Sequence, residues 1–232
     1  MRRVFTGFDF AAARLKRKQN SGAPSRAFAL EHYRHAAAGY DASCCRIERK
    51  RLRALESLQL RQGETVIDVA CGTGPLLETL ARRVGPRGRV VGIEQSPEMI
   101  ALARRRVQSL ALANVTLIEA AIEDAQIPGR ADAILFCYTH DVLRSRGALE
   151  NLFAAAKRGA RIASCGAKLY PRWLAPLNPW VRWRAYGYLS TVEGLQEPWS
   201  TLAEFCPDFS VDATFFLGSG YVGSGRYAPT EC

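Results

Sequence analysis

Two acids and three small residues carry the most chemistry in this chain. Asp68 lies in a β-branched run, Val66-Ile67-Asp68-Val69, and Ala70, Gly72 and Gly74 follow at alternate positions. Pro75 then opens a helical pattern. A strand, a small-residue turn and a helix start, in that order, let a ligand approach the backbone closely. Gly72 and Gly74 remove Cβ atoms that would block the approach, and proline suits the first helical position. The second acid, Glu94, closes another β-branched run 22 positions after Gly72. An acid about 20 residues beyond such a turn reaches ribose hydroxyls, and a carboxylate accepts both bonds of a vicinal diol. The chemistry is nucleoside binding. A dinucleotide fits less well, because its sites read Gly-x-Gly-x-x-Gly and Leu77 stands where the third glycine belongs.

The elements that must hold these residues alternate along the chain. Thr65–Val69, Arg89–Ile93, Val115–Glu119, Ala131–Tyr138 and a strand from Arg161 read as five strands. Helices are predicted over Pro75–Val84, from Ser96-Pro97 to about Leu110, and over Arg146–Lys157, with Ser96 as an N-cap. That rhythm predicts an α/β fold, a doubly wound, mostly parallel sheet with helices on both faces. Val211–Leu217 and Tyr221–Tyr227, joined by Gly218-Ser219-Gly220, read as a terminal hairpin. Upstream, residues 1–26 form a flexible basic leader and 27–61 hold two helices, the second basic and amphipathic. Residues 62–232 make the main domain.

The spacing Asp68-x-Ala70-x-Gly72-x-Gly74 resembles the first motif of class I S-adenosylmethionine (SAM)-dependent methyltransferases, with Ala70 in place of the motif's first glycine. Val90-Val91-Gly92-Ile93-Glu94-Gln95-Ser96-Pro97-Glu98-Met99 resembles the second. The likeness is to the enzymes of that class that modify quinones and small metabolites. It implies a Rossmann-like, seven-stranded sheet with a C-terminal antiparallel hairpin, and SAM as cofactor. By the same resemblance Asp68, Ala70 and Gly72 lie beside the methionine end, Glu94 holds the ribose, and Gln95 and Met99 flank the adenine. Ile122 would stack on adenine and Glu123 or Asp124 would accept from its amino group, although Ala121 departs from the family's acidic pattern. Tyr33 and Tyr40 resemble aromatic residues that close over SAM, with packing against the sheet as the competing reading.

The resemblance implies methyl transfer to an O, N or C nucleophile of a small molecule, in specialised metabolism. Phe136-Cys137-Tyr138-Thr139-His140 lies in the crevice where the methyl acceptor belongs. An unperturbed histidine has a pKa near 6.5, so His140 is a candidate general base, against the plainer reading that it bonds loop backbone. The chain lacks the Asn/Asp-Pro-Pro-aromatic signature of exocyclic-amine methyltransferases of nucleic acids. Four tryptophans, all between Trp173 and Trp199, mark a substrate cap over 170–200. A quinone or phospholipid acceptor at a membrane surface is the alternative within the enzyme class, and a non-catalytic SAM-binding regulator the alternative outside it.

Charge and cysteines bound these readings. The net charge is +10, and residues 1–61 hold 14 Lys and Arg against 5 Asp and Glu. The basicity therefore belongs to the N-terminal segment, which argues against nucleic acid as the acceptor. Seven scattered cysteines without a Cys-x-x-Cys spacing predict free thiols, no metal and a cytoplasmic setting. Membrane contact is not expected; a homodimer through the aromatic cap is admitted.

Overall fold

The computed structural model describes residues 26–36, 47–185 and 189–229. Two N-terminal helices, α1 (Arg26–Ala36) and α2 (Glu48–Ser57), precede an alternating run. It comprises β1 (Thr65–Val69), α3 (Leu77–Val84), β2 (Arg89–Glu94), α4 (Pro97–Ser109), β3 (Val115–Glu119) and β4 (Ala131–Cys137). The short α5 (His140–Leu143), α6 (Arg146–Ala154) and β5 (Ala156–Ala167) come next. Then follow α7 (Asn178–Ala185), α8 (Ser200–Phe205), β6 (Ser210–Phe215) and β7 (Gly220–Arg226). The strands form one seven-stranded sheet in the order β3-β2-β1-β4-β5-β7-β6. β1 to β5 are parallel, and β7 lies antiparallel between β5 and β6. This is the Rossmann-like, doubly wound sheet with a C-terminal antiparallel hairpin.

Alternate side chains of the central strands feed two cores. Val66, Val90, Ala133 and Leu135 face α2 and α3, where they meet Leu55, Leu58, Leu77 and Leu80. Ile67, Val91, Ile134 and Phe136 face α6 and α8, against Leu149, Leu152, Phe153 and Leu202. Burial on both faces is why these strands read as continuous apolar runs. The Ser96 hydroxyl caps α4 by accepting from the Met99 amide at 3.3 Å. Arg161 donates to the Leu58 carbonyl at 2.6 Å and pairs with Glu64, which ties the end of α2 to β5.

Several boundaries differ from the sequence-based expectation. α3 starts at Leu77, because the Leu77 amide bonds back to Gly74 at 3.2 Å and residues 74–76 form a turn. β5 starts at Ala156, and α6 ends at Ala154. Exposed Lys157 and Arg158, then Gly159 at φ +76°, hide that strand's first half from a hydrophobic pattern. Within the cap, Leu189 packs on Leu169, Val181 and Leu195. Of the expected leader, only Arg26 lies within the described residues; it begins α1 and pairs with Asp124 at 3.2 Å.

Candidate functional site

The strand order reverses between β1, which continues outward through β2 and β3, and β4, which continues through β5. In open α/β sheets the crevice at the carboxyl ends of the strands at such a switch point receives ligands. A small, partly open cleft lies there. Asp68 and the loop Ala70, Cys71 and Gly72 line it from β1; Glu94, Gln95 and Met99 line it from β2 and α4. Cys137 and Tyr138 come from the end of β4, Arg51 from α2 and Tyr33 from α1.

The loop after β1 takes its shape from three left-handed residues, Ala70 (φ +49°), Gly72 (φ +60°) and Gly74 (φ +74°). Alternate left-handed positions coil the backbone so that the Cys71 amide donates to the Ile93 carbonyl at 2.9 Å and the Gly74 amide to the Cys71 carbonyl at 3.0 Å. Position 70 therefore asks for glycine on conformational as well as steric grounds, and alanine there holds a strained backbone of the kind that collects at functional sites. Gly74 has another role. A Cβ built on it would lie 2.4 Å from Leu77 Cδ1 and 3.3 Å from Ala103 Cβ, so its absence lets α3 pack close.

Glu94 is buried and held before any ligand arrives. One carboxylate oxygen accepts from the Gly72 amide at 3.0 Å, the other from the Ser96 amide at 2.8 Å. Burial raises its pKa, and the amide bonds from Ser96, Gly72 and Gln95 pull it back down. A carboxylate has about four lone-pair sites, so these amides leave it capacity to accept from a ligand hydroxyl. Asp68 is fully buried, and that burial pushes its carboxyl up to about 7; the Arg51 guanidinium opposes the rise and Glu94 adds to it. Near neutrality Asp68 thus changes charge with small changes in its surroundings.

The structure brings Tyr33, Asp68, Ala70, Gly72, Glu94, Gln95 and Met99 to the cleft. Tyr40 lies outside the described residues. Ile122 and Glu123 are not among the residues lining this cleft. Ile122 is buried in a 3₁₀ turn with its carbonyl accepting from Asn151 at 2.6 Å, while exposed Glu123 accepts from the Ser145 hydroxyl at 2.5 Å. Both residues anchor the turn to α6. His140 is buried beside the cleft, not in its wall, and its Nε2 is 2.9 Å from the Glu193 carbonyl oxygen. Burial lowers its pKa, helped by Arg144 and opposed by Asp141 and the Glu193 bond. A neutral ring donating through Nε2 to that carbonyl holds the 189–194 loop.

Arg51 escaped the sequence reading. It sits on the basic amphipathic helix α2, yet it is buried and its guanidinium lies 6.0 Å from the Tyr138 ring centroid. Tyr138 itself has φ +61°, unusual for a bulky residue. Neither feature leaves a local sequence signal: Arg51 is distinguished only by what α2 packs against. Among the described residues no group of three or more His, Cys, Asp or Glu side chains is placed to hold a metal.

Residues 60–179 match the family model described as a methyltransferase domain. Over 53 residues the chain is 51% identical to the 2-phytyl-1,4-naphtoquinone methyltransferase of Thermosynechococcus vestitus, covering 23% of this chain and 24% of that protein. Over 47 residues it is 55% identical to the 23S rRNA (uracil(1939)-C(5))-methyltransferase RlmD of Acinetobacter baumannii, covering 20% and 10%. The matches thus span about a quarter or less of these relatives' own lengths. Among solved structures, a SAM-dependent methyltransferase from Aquifex aeolicus superposes with a TM-score of 0.53 at 23% identity, over 95% of this chain and 98% of that one. That likeness shows a shared fold.

Proposed function

Because this chain belongs to the methyltransferase-domain family, we propose that it moves the methyl group of SAM to an O, N or C nucleophile of a small molecule. The observation that carries the reading is the Glu94 carboxylate, fixed between the Gly72 and Ser96 amides at the sheet's switch point. The donor set fits the cofactor. Glu94 would hold the ribose diol, Met99 and Gln95 would lie along the base, and Asp68 with the left-handed loop would face the methionine end. Bound SAM would supply a sulfonium-activated methyl group.

The rest of the work falls to this chain's own side chains. Arg51 and Tyr138 line the cleft from two elements far apart in sequence, together with Cys71 and Cys137. Methyl transfer gains most from holding an acceptor atom in line, since orientation effects reach roughly 7–11 kcal/mol. His140 serves that end as a positioning residue, through the Glu193 carbonyl, with its Nε2 committed to that bond. A small acceptor is favoured by the charge balance, since the basic excess lies in residues 1–61 and not in the domain that holds the cleft. Calorimetry with SAM tests the donor site, and a search for S-adenosylhomocysteine against metabolite extracts tests transfer. Tight binding without product from any extract would point to the non-catalytic SAM-binding reading; absence of SAM binding would overturn both.

A further inference from the structure

We propose that the aromatic surface built by the 3₁₀ turn Arg172–Leu177, α7 and the β6–β7 loop docks the protein on an anionic lipid bilayer. This inference is independent of the methyl-transfer reading.

Six of the seven exposed large apolar side chains among the described residues fall in these segments: Trp173, Leu177, Trp180, Trp183, Phe216 and Leu217. Trp173 is 74% exposed, Trp180 50% and Trp183 61%. The segments are held as a unit. Trp180 and Trp183 are three residues apart on α7 and share a face. Val181 points the other way and is buried against Leu169 and Leu195. The β6–β7 loop reaches the start of the 3₁₀ turn, since a Cβ built on Gly218 would lie 3.1 Å from Pro171 Cδ. Phe216 and Leu217 project there through left-handed backbones, φ +51° and +56°. Exposed large apolar side chains gathered in neighbouring segments mark an interaction site more than the scattered exposure of an ordinary monomer does.

Charge decides the partner. No Asp or Glu occurs from residue 151 to residue 192, a stretch that contains Lys157, Lys168, Arg172, Arg182 and Arg184. Arg172 and Arg182 are exposed beside the tryptophans. On the β6–β7 side, exposed Arg53 lies 5.7 Å from the Phe215 ring centroid, while Lys50, 3.9 Å from that of Phe216, is itself buried under the loop. Tryptophans rimmed by arginines suit the interface of a bilayer, where indoles sit at headgroup level and cations meet anionic lipid. No helix among the described residues is long and apolar enough to cross a membrane, so the association is peripheral.

The test is sedimentation of the full chain with vesicles of phosphatidylcholine alone or mixed with phosphatidylglycerol, at low and high salt. The expected result is binding to the anionic vesicles, with a blue shift of tryptophan emission, weakened at least tenfold by high salt. The triple variant Trp173→Ala, Trp180→Ala, Trp183→Ala should lose at least tenfold in vesicle affinity. Circular dichroism and SAM calorimetry on the same variant show that fold and cofactor site are intact. Unchanged vesicle binding by the triple variant would overturn the proposal, because the basic N-terminal residues would then suffice. So would preference-free binding to both vesicle types, or self-association through the patch with no lipid binding.

Discussion

The two walls of the central cleft are built on opposite principles. On the β1–β2 side the key polar group is satisfied in advance: both Glu94 oxygens accept from backbone amides of residues close by in the fold. Behind the β4 wall, one layer back from the cleft, buried polar atoms of Thr139, His140, Asp141 and Arg144 lack hydrogen-bond partners among the described residues, and α5 bonds to the 189–194 loop through His140 and Asp141. Beyond that loop the surface turns aromatic and exposed. Preorganised backbone donors bind one fixed chemical group, so they suit a cofactor. A wall with unspent hydrogen-bonding capacity and a long insert is where specificity for a variable acceptor can be set.

The sharpest way to break this contrast is Glu94→Ala. It removes the ribose acceptor and strands two buried amides, so SAM affinity should drop about 100-fold by calorimetry, given about 1.5–3 kcal/mol per charged hydrogen bond. A loss under threefold would mean that the β1–β2 wall is not the donor site. Within the cap, Trp199 and Trp183 should part company. Trp199 stacks near Tyr221, with ring centroids 4.7 Å apart, so Trp199→Ala should cost about 2 kcal/mol in urea unfolding, whereas exposed Trp183→Ala should cost under about 0.5. Equal costs would show the whole insert to be core.

Acidity probes the donor wall more gently. Asp68 has its folded pKa raised to about 7 by burial, so the folded state holds a proton that the unfolded chain releases near its ordinary value. Its contribution to stability is present in acid and is lost as pH rises through about 7. Binding that needs the carboxylate should run the other way. SAM affinity should rise roughly tenfold from pH 6 to 8, and Asp68→Asn should flatten both slopes in calorimetry and thermal melts. His140→Ala should cost about 1 kcal/mol by freeing the 189–194 loop while leaving SAM affinity unchanged. An equal loss of SAM affinity would place His140 in the donor wall. The smallest effect belongs to Ala70→Gly, where relief of a left-handed alanine and the entropy of glycine nearly cancel, giving about 0.5 kcal/mol of added stability.

The donor wall was the legible part because its signals are local. Asp68, the small residues at 70, 72 and 74, and Glu94 lie within one β-α-β unit, where turn chemistry and strand ends fix their places. The place of Ile122 and Glu123 was less legible, because only a carried-over spacing pointed to them, and Asn151 and Ser145 hold that turn against α6. α5 was missed because four residues carry no period to read. Arg51 was hidden for a different reason: a basic amphipathic helix looks alike whether its charges meet water or a buried carboxylate.

Sequence alone determined the sheet, its two cores and the site of the fixed carboxylate, because hydrophobic alternation and left-handed turn residues act over a few positions. Only the tertiary structure decided that α2 delivers Arg51 beside Asp68, that His140 is bonded to a loop carbonyl, and that Phe216 and Leu217 join three tryptophans on one surface. Those outcomes depend on contacts between segments dozens of residues apart, and no local periodicity encodes which distant surface a side chain will meet.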